Sequence, residues 1–223
     1  MSFATEEDIM QMNEGFIKRV FKEVLNVDIP TPMQRMTFAE AMNLYGSDKP
    51  DTRYEMTIKD LSEVVKNTTF PVFAGALADG GSVRAIVAKN GASALTRKEI
   101  DKLTEHAKGI GAKGVAFIRW ADAAPNCSFA KFLAPEELDA LIAALGLEQG
   151  DVALFVADKD KVVLPTLGAL RGIVAKKLDL IPEGKFNFLW ITEFPFFEWN
   201  EETEHWDAMH HPFTMPLEEC LPQ

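Results

Sequence analysis

Apolar residues near the N-terminus recur at the spacing of one helix face: Ile9, Met12, Phe16 and Val20, widened by Ile17, Phe21 and Val24. Thr5, with Asp8 three residues on, offers a side-chain oxygen to the first unpaired amides of that helix. Pro30 and Pro32 are expected to stop it. Thr37 and Glu40 repeat the capping spacing ahead of a short helix that ends before Gly46. After the Lys49-Pro50-Asp51 turn the texture changes. A helix is expected over Ile58 to Lys66. Phe70 to Ala76 and Val83 to Ala88 read as strands, and Asp79-Gly80-Gly81 between them predicts a hairpin. Thr96 with Glu99 opens a helix to Lys108. Val115 to Trp120 predicts a strand, Pro135 to Leu145 a helix and Val152 to Ala157 a strand. Leu164 to Leu178 predicts a long helix ending before Pro182, and Phe186 to Ile191 a last strand. Trp199 and Trp206 bracket an acidic stretch that reads as a hairpin tip.

Helices and strands alternate, but the early hairpin favours an α+β fold with a mainly antiparallel sheet over a doubly wound parallel one. Breaks are expected at Gly46 to Arg53 and at Leu180 to Lys185. They divide the chain into 1–53, 54–180 and 181–223, with the middle part inserted between two strips of another body. Phe3 to Val27 and Leu189 to Thr214 carry apolar faces that need partners.

Composition narrows the classes. The 223 residues are 47% apolar, enough for a substantial core, and carry a net charge of −11. A broadly acidic surface repels phosphates and argues against non-specific nucleic-acid binding. A local exception is the cluster Lys159, Lys161, Arg171, Lys176 and Lys177, which is either a solvated helix face or an RNA contact. No apolar run approaches the roughly 20 residues that span a bilayer, and the N-terminus lacks the basic-then-apolar pattern of a secretion signal. Two well-separated cysteines, Cys127 and Cys220, suit a reducing compartment, so a cytoplasmic protein is expected. Cys127 has no evident base beside it, which removes support for a thiol nucleophile.

The glycines of Gly109-Ile-Gly111-Ala-Lys-Gly114 have dinucleotide-loop spacing. They follow a helix and lead into a strand, the reverse of the order that places a helix N-terminus at a pyrophosphate. A helix C-terminus and loop is the expectation there. His210 and His211 precede Pro212, which holds His211 extended. Neighbours in extended chain point to opposite faces, and no Cys-x-x-Cys or His-Glu-x-x-His spacing accompanies them, so no metal is expected. An ordered loop and a pocket lining both remain as readings. Asp48, Lys49, Asp51 and Arg53 together read as a turn rich in ion pairs.

Several strings, in order, resemble bacterial aspartyl-tRNA synthetases of class II. Ser2-Phe3-Ala4 is similar to the end of motif 2. Met36 to Met42 followed by Tyr45-Gly-Ser-Asp-Lys-Pro-Asp51 is similar to the family's lead into its insertion. Phe73-Ala-Gly75, Gly91-Ala-Ser93, Gly111 to Gly114, Ala130-Lys-Phe132 and Gly168-Ala-Leu-Arg171 resemble the inserted GAD domain, which has a relative in tRNA amidotransferases. Trp190 to Thr214, with His210-His-Pro-Phe-Thr214 as its most specific part, resembles the return to the catalytic body. The resemblance covers essentially the whole chain. One departure is Thr52, where the family usually has leucine.

The resemblance implies a GAD-type insertion domain flanked by partial catalytic-domain segments. It implies aspartate activation by ATP with Mg²⁺, transfer to tRNA(Asp), and a homodimeric enzyme. His210 would face the substrate aspartate, with His211 supporting the loop. Asp48, Lys49 and Asp51 would frame the site, and Lys159, Lys161, Arg171, Lys176 and Lys177 are candidate tRNA contacts. No catalytic residue is assigned within the chain. The phosphate-gripping arginines of the family belong to motifs 2 and 3, placed before Ser2 and after Gln223, so this piece alone is expected to be inactive and to hold neither ATP nor Mg²⁺. The alternative is a non-catalytic tRNA-contacting module.

Overall fold

The computed structural model describes residues 3–200 and 203–209. They fall in two compact units, one formed by Glu40–Phe188 and the other by the flanking segments, up to Ala39 and from Leu189 onward. In chain order the elements are α1 (Glu6–Leu25), β1 (Gln34–Thr37), α2 (Phe38–Tyr45), β2 (Lys59–Asp60), α3 (Pro71–Ala78), β3 (Ser82–Ala88), α4 (Arg97–Ile110), β4 (Ala116–Arg119), β5 (Asn126–Cys127), α5 (Pro135–Leu145), β6 (Val152–Asp158), α6 (Asp160–Lys177), β7 (Leu189–Thr192), β8 (Phe197–Asn200) and β9 (His205–Ala208).

The Glu40–Phe188 unit is built on a sheet of order β2-β3-β6-β4-β5, antiparallel throughout. Its fold is α+β, as the sequence suggests. Strands β3 and β6 are buried on both faces; β6 reads as a continuous apolar run from Val152 to Ala157, while β3 holds Arg84 among its apolar residues. Successive side chains point to opposite faces. Ile86, Ala88, Leu154 and Val156 meet Ile100 and Leu103 of α4 and Leu167 and Leu170 of α6. Val83, Ala85, Ala153 and Phe155 meet Phe73 of α3 and Leu141 of α5. Two cores therefore sandwich one sheet.

Three predicted elements differ. Phe70 to Ala76 is helical, not a strand: Pro71 sits at the first turn, where its missing N–H costs nothing, and a short apolar run has no periodicity to reveal the difference. Asp79-Gly80-Gly81 therefore turns a helix into β3 instead of joining a hairpin. Gly81 is required there, because a Cβ would lie 2.3 Å from the Asp158 carbonyl oxygen. Residues 58–66 are not a helix either. Sheet pairing captures their backbone, with the Leu61 N–H donating to the Val83 carbonyl at 2.9 Å before a run of turns. The last predicted strand is displaced to Leu189–Thr192, and it pairs with β1 in parallel.

Other boundaries moved less. Helix α6 starts at Asp160 and tolerates Pro165 inside it. Thr5 caps helix α1 as expected, and Asp8 answers it to complete a capping box, but Asn26 ends the helix at φ 53°, ahead of Pro30. Trp199 and Trp206 pair directly across the β8–β9 hairpin. No helix among the described residues is long and apolar enough to cross a membrane.

Candidate functional site

The turn that follows α2 is fixed by a backbone-to-backbone contact. Gly46, at φ +66°, lies so near α6 that a Cβ would come 2.1 Å from the Leu164 carbonyl oxygen. A Cβ on Gly168 would in turn come 2.5 Å from the Gly46 carbonyl oxygen. Arg171 follows Gly168 by three residues and so shares its helix face. Its guanidinium donates from Nε to the Met56 carbonyl (2.9 Å), from Nη1 to Tyr54 Oη (3.1 Å), and from Nη2 to the carbonyls of Asp51 (2.7 Å) and Tyr54 (3.1 Å). It also lies over the rings of Tyr54 at 4.1 Å and Tyr45 at 4.8 Å. Burial pushes the Arg171 pKa down and the Tyr54 hydroxyl up.

Arg171 is therefore no part of a solvated basic face: it is 3% exposed and its donors are directed inward. That corrects its placement with the lysines as a surface group. Lys159, Lys161, Lys176 and Lys177 are exposed. They sit at opposite ends of α6, about 22 Å apart at the helical rise from Lys161 to Lys176, so the four do not form one patch. Lys177 and Lys102 both donate to Glu99, at 2.6 and 2.7 Å, and hold its pKa at about 2. The Thr96–Glu99 capping box is accordingly not made, although α4 starts where expected.

Beyond the Gly46 contact, Arg53 grips Asp51 with two parallel hydrogen bonds of 2.9 and 2.7 Å, which lowers the Asp51 pKa. The Lys49 amide donates to Ser47 Oγ at 3.0 Å. Lys49, Asp51 and Arg53 line a cavity of about 340 Å³ whose opposite wall is Lys185 to Phe188. Asp48 lies in the same turn but does not line it. Asn187 closes one end by donating to the Thr52 carbonyl (3.2 Å) and to Thr52 Oγ1 (3.1 Å).

In the flanking unit, Glu14 of α1 is 5% exposed. Its Oε1 accepts from Trp190 Nε1 at 2.9 Å and from the Met33 amide at 3.1 Å. This ties β7 to the segment that enters β1. Phe38 and Phe194 pack with ring centres 5.2 Å apart. His210 and His211 lie outside the described residues.

Gly111 caps α4 at φ 124° and donates to Ala107 and Lys108, so these glycines end a helix as expected. Burial pushes the Cys127 thiol up to about 11, which leaves it protonated at neutral pH. No three His, Cys, Asp or Glu side chains come together as a metal site among the described residues. Sequence reasoning missed Glu14, Tyr54 and Asn187. For Glu14 there was no signal beyond a carboxylate near the apolar face of α1.

The family described as tRNA synthetases class II (D, K and N) matches residues 1–222. The chain belongs to that family. It is 53% identical over 220 residues to the aspartate–tRNA ligase of Agathobacter rectalis, covering 98% of this chain and 37% of that protein. It is 51% identical over 223 residues to the aspartate–tRNA(Asp/Asn) ligase of Lachnoclostridium phytofermentans, covering 100% and 37%. A Clostridium perfringens aspartate–tRNA ligase is 50% identical over 222 residues, covering 99% and 37%. The chain thus spans about 37% of the length of the curated relatives it matches.

Proposed function

We propose that this chain is part of a cytoplasmic aspartate–tRNA ligase, a homodimer that activates L-aspartate with ATP and transfers it to tRNA(Asp). The observation that carries the reading is identity of 50% or more to ligases of that name along nearly the whole chain, through both compact units. In such a reaction the aspartate carboxylate attacks the α-phosphate of ATP and expels pyrophosphate, and a tRNA hydroxyl then displaces AMP. The site must align two anions and neutralise charge as it develops.

In this reading the β1/β7 pair, held by Glu14 through Trp190, is part of the catalytic body. The His210 imidazole, drawn toward its charged form by a nearby carboxylate, holds the amino acid, and His211 supports the loop. Mg²⁺ would serve the phosphates, but the described residues offer it no carboxylate cluster, and no step is assigned through it. The Glu40–Phe188 unit has its own two-sided core and is assigned the tRNA-facing role, with Lys159, Lys161, Lys176 and Lys177 among its exposed cations.

Aspartate-dependent ATP–pyrophosphate exchange tests the reading. The Agathobacter rectalis ligase carrying these 223 residues in place of its own is expected to exchange with aspartate and not with lysine, while the chain alone is silent. A folded chimera that ignores aspartate contradicts the assignment.

A further inference from the structure

We propose that the cavity between residues 49–53 and 185–188 is a binding cleft for the phosphate backbone of single-stranded RNA. Its lining is Lys49, Pro50, Asp51, Thr52 and Arg53 on one wall and Lys185, Phe186, Asn187 and Phe188 on the other. Three cations and one carboxylate line it, and the carboxylate is already neutralised by the two-pronged Arg53–Asp51 pair. Lys49 and Lys185 are exposed and have no ion-pair partner among the described residues. The cleft therefore keeps a local charge of about +2 inside a chain whose net charge is −11. Asp48 and Glu183 neighbour these lysines in sequence, but neither lines the cleft.

The shape is held from both sides. Arg171 fixes the Asp51 and Tyr54 carbonyls, and Asn187 joins the second wall to Thr52. The Thr52 hydroxyl is one of the two acceptors that hold this second wall in place. Phe186, 38% exposed, adds an aromatic edge beside the cations. Lysines that neutralise phosphates next to a ring on which a base stacks are the parts of a single-strand site. The cavity, about 340 Å³ and open to solvent, suits a backbone passing through more than an enclosed mononucleotide. The identity of the ligand as RNA rests on the tRNA-ligase reading; the anion site does not.

Fluorescence anisotropy of the full chain with a short, unstructured, fluorescein-labelled oligoribonucleotide over a salt series tests the proposal. It uses neither aspartate nor ATP, so its failure is separate from failure of the exchange assay. Each backbone phosphate engaged on a single strand contributes roughly 0.7 to the log–log salt slope. The Lys49→Gln/Lys185→Gln pair is expected to weaken binding about tenfold and to reduce the slope by about 1.4. Lys102→Gln/Lys108→Gln on α4, an equal change in charge, is expected to leave both unchanged. Phe186→Ala is expected to weaken the oligoribonucleotide about tenfold while leaving competition by inorganic phosphate intact. Absence of binding at low salt, or equal losses from both lysine pairs, overturns the cleft. Phosphate competition with no effect of Phe186→Ala overturns the RNA assignment and leaves an anion site only.

Discussion

The guanidinium of Arg171 lies 4.1 Å from the centre of the Tyr54 ring and donates at 3.1 Å to that residue's hydroxyl and to its carbonyl. A single side chain thus holds Tyr54 by its face, its tip and its backbone. A buried arginine normally opposes folding by its desolvation, and here four hydrogen bonds and two aromatic faces offset that cost. Arg171→Met keeps the volume but leaves three carbonyls without a donor. It is expected to lower unfolding free energy by about 3 kcal/mol in urea melts. Arg171→Lys should recover little of this, because an ammonium cannot serve the fork. Full recovery by lysine would mean that charge alone matters.

The two glycines of α6 make opposite predictions. At Gly168 an added Cβ meets the Gly46 carbonyl at 2.5 Å, whereas at Gly172 nothing lies within 4 Å. Gly168→Ala is expected to destabilise by about 2 kcal/mol through overpacking. Gly172→Ala is expected to stabilise by about 0.5–1 kcal/mol, the ordinary gain of alanine over glycine in a helix. Thermal melts of the two variants side by side decide it, and equal shifts would refute the close α2–α6 contact.

Asp51 makes the Glu40–Phe188 unit acid-sensitive in a definite direction. Arg53 holds the folded-state pKa below the usual value near 3.9. A depressed carboxylate contributes stability that is fully present above the unfolded value and lost as pH falls through the folded one. Wild type minus Asp51→Asn stability should therefore be constant above pH of about 5 and shrink below about 4. A difference that grows on acidification would reverse the assignment of the pair.

Glu14→Ala removes one acceptor from two donors, the half-buried Trp190 indole and the buried Met33 amide. The expected cost is about 2 kcal/mol, together with faster hydrogen exchange at the Trp190 indole N–H measured by NMR. Glu14→Gln keeps an acceptor oxygen and is expected to retain most of the protection. Unchanged exchange in the alanine variant would remove Glu14 as the tie between α1 and β7.

What was legible in the sequence follows what has a local signature. Thr5 and Asp8 sit at the spacing their hydrogen bonds need, the α4 and α5 faces have helical period, and Trp199 opposes Trp206 across a polar tip. Phe70 to Ala76 failed because its character depends on Pro71 at a helix start and on burial of Phe73 against Phe129 and Phe155, contacts from distant parts of the chain. Residues 58–66 failed because β3 claims the Leu61 amide. The site was half legible. Lys49, Asp51 and Arg53 announce a charged turn, but neither their second wall at Lys185 to Phe188 nor the burial of Arg171 beneath them has a sequence signal. Arg171 read as a surface cation because its partners are mostly backbone carbonyls, which composition does not reveal.

In the proposed reading, the chain contributes the amino-acid side of an aspartate-activating site through His210. The most direct test is steady-state ATP–pyrophosphate exchange by the Agathobacter rectalis chimera carrying these 223 residues, with and without His210→Ala. The account predicts that KM for aspartate rises about tenfold or more, as for loss of a charge-assisted contact, while KM for ATP stays within about twofold. Equal losses for aspartate and ATP, or none for either, would contradict it.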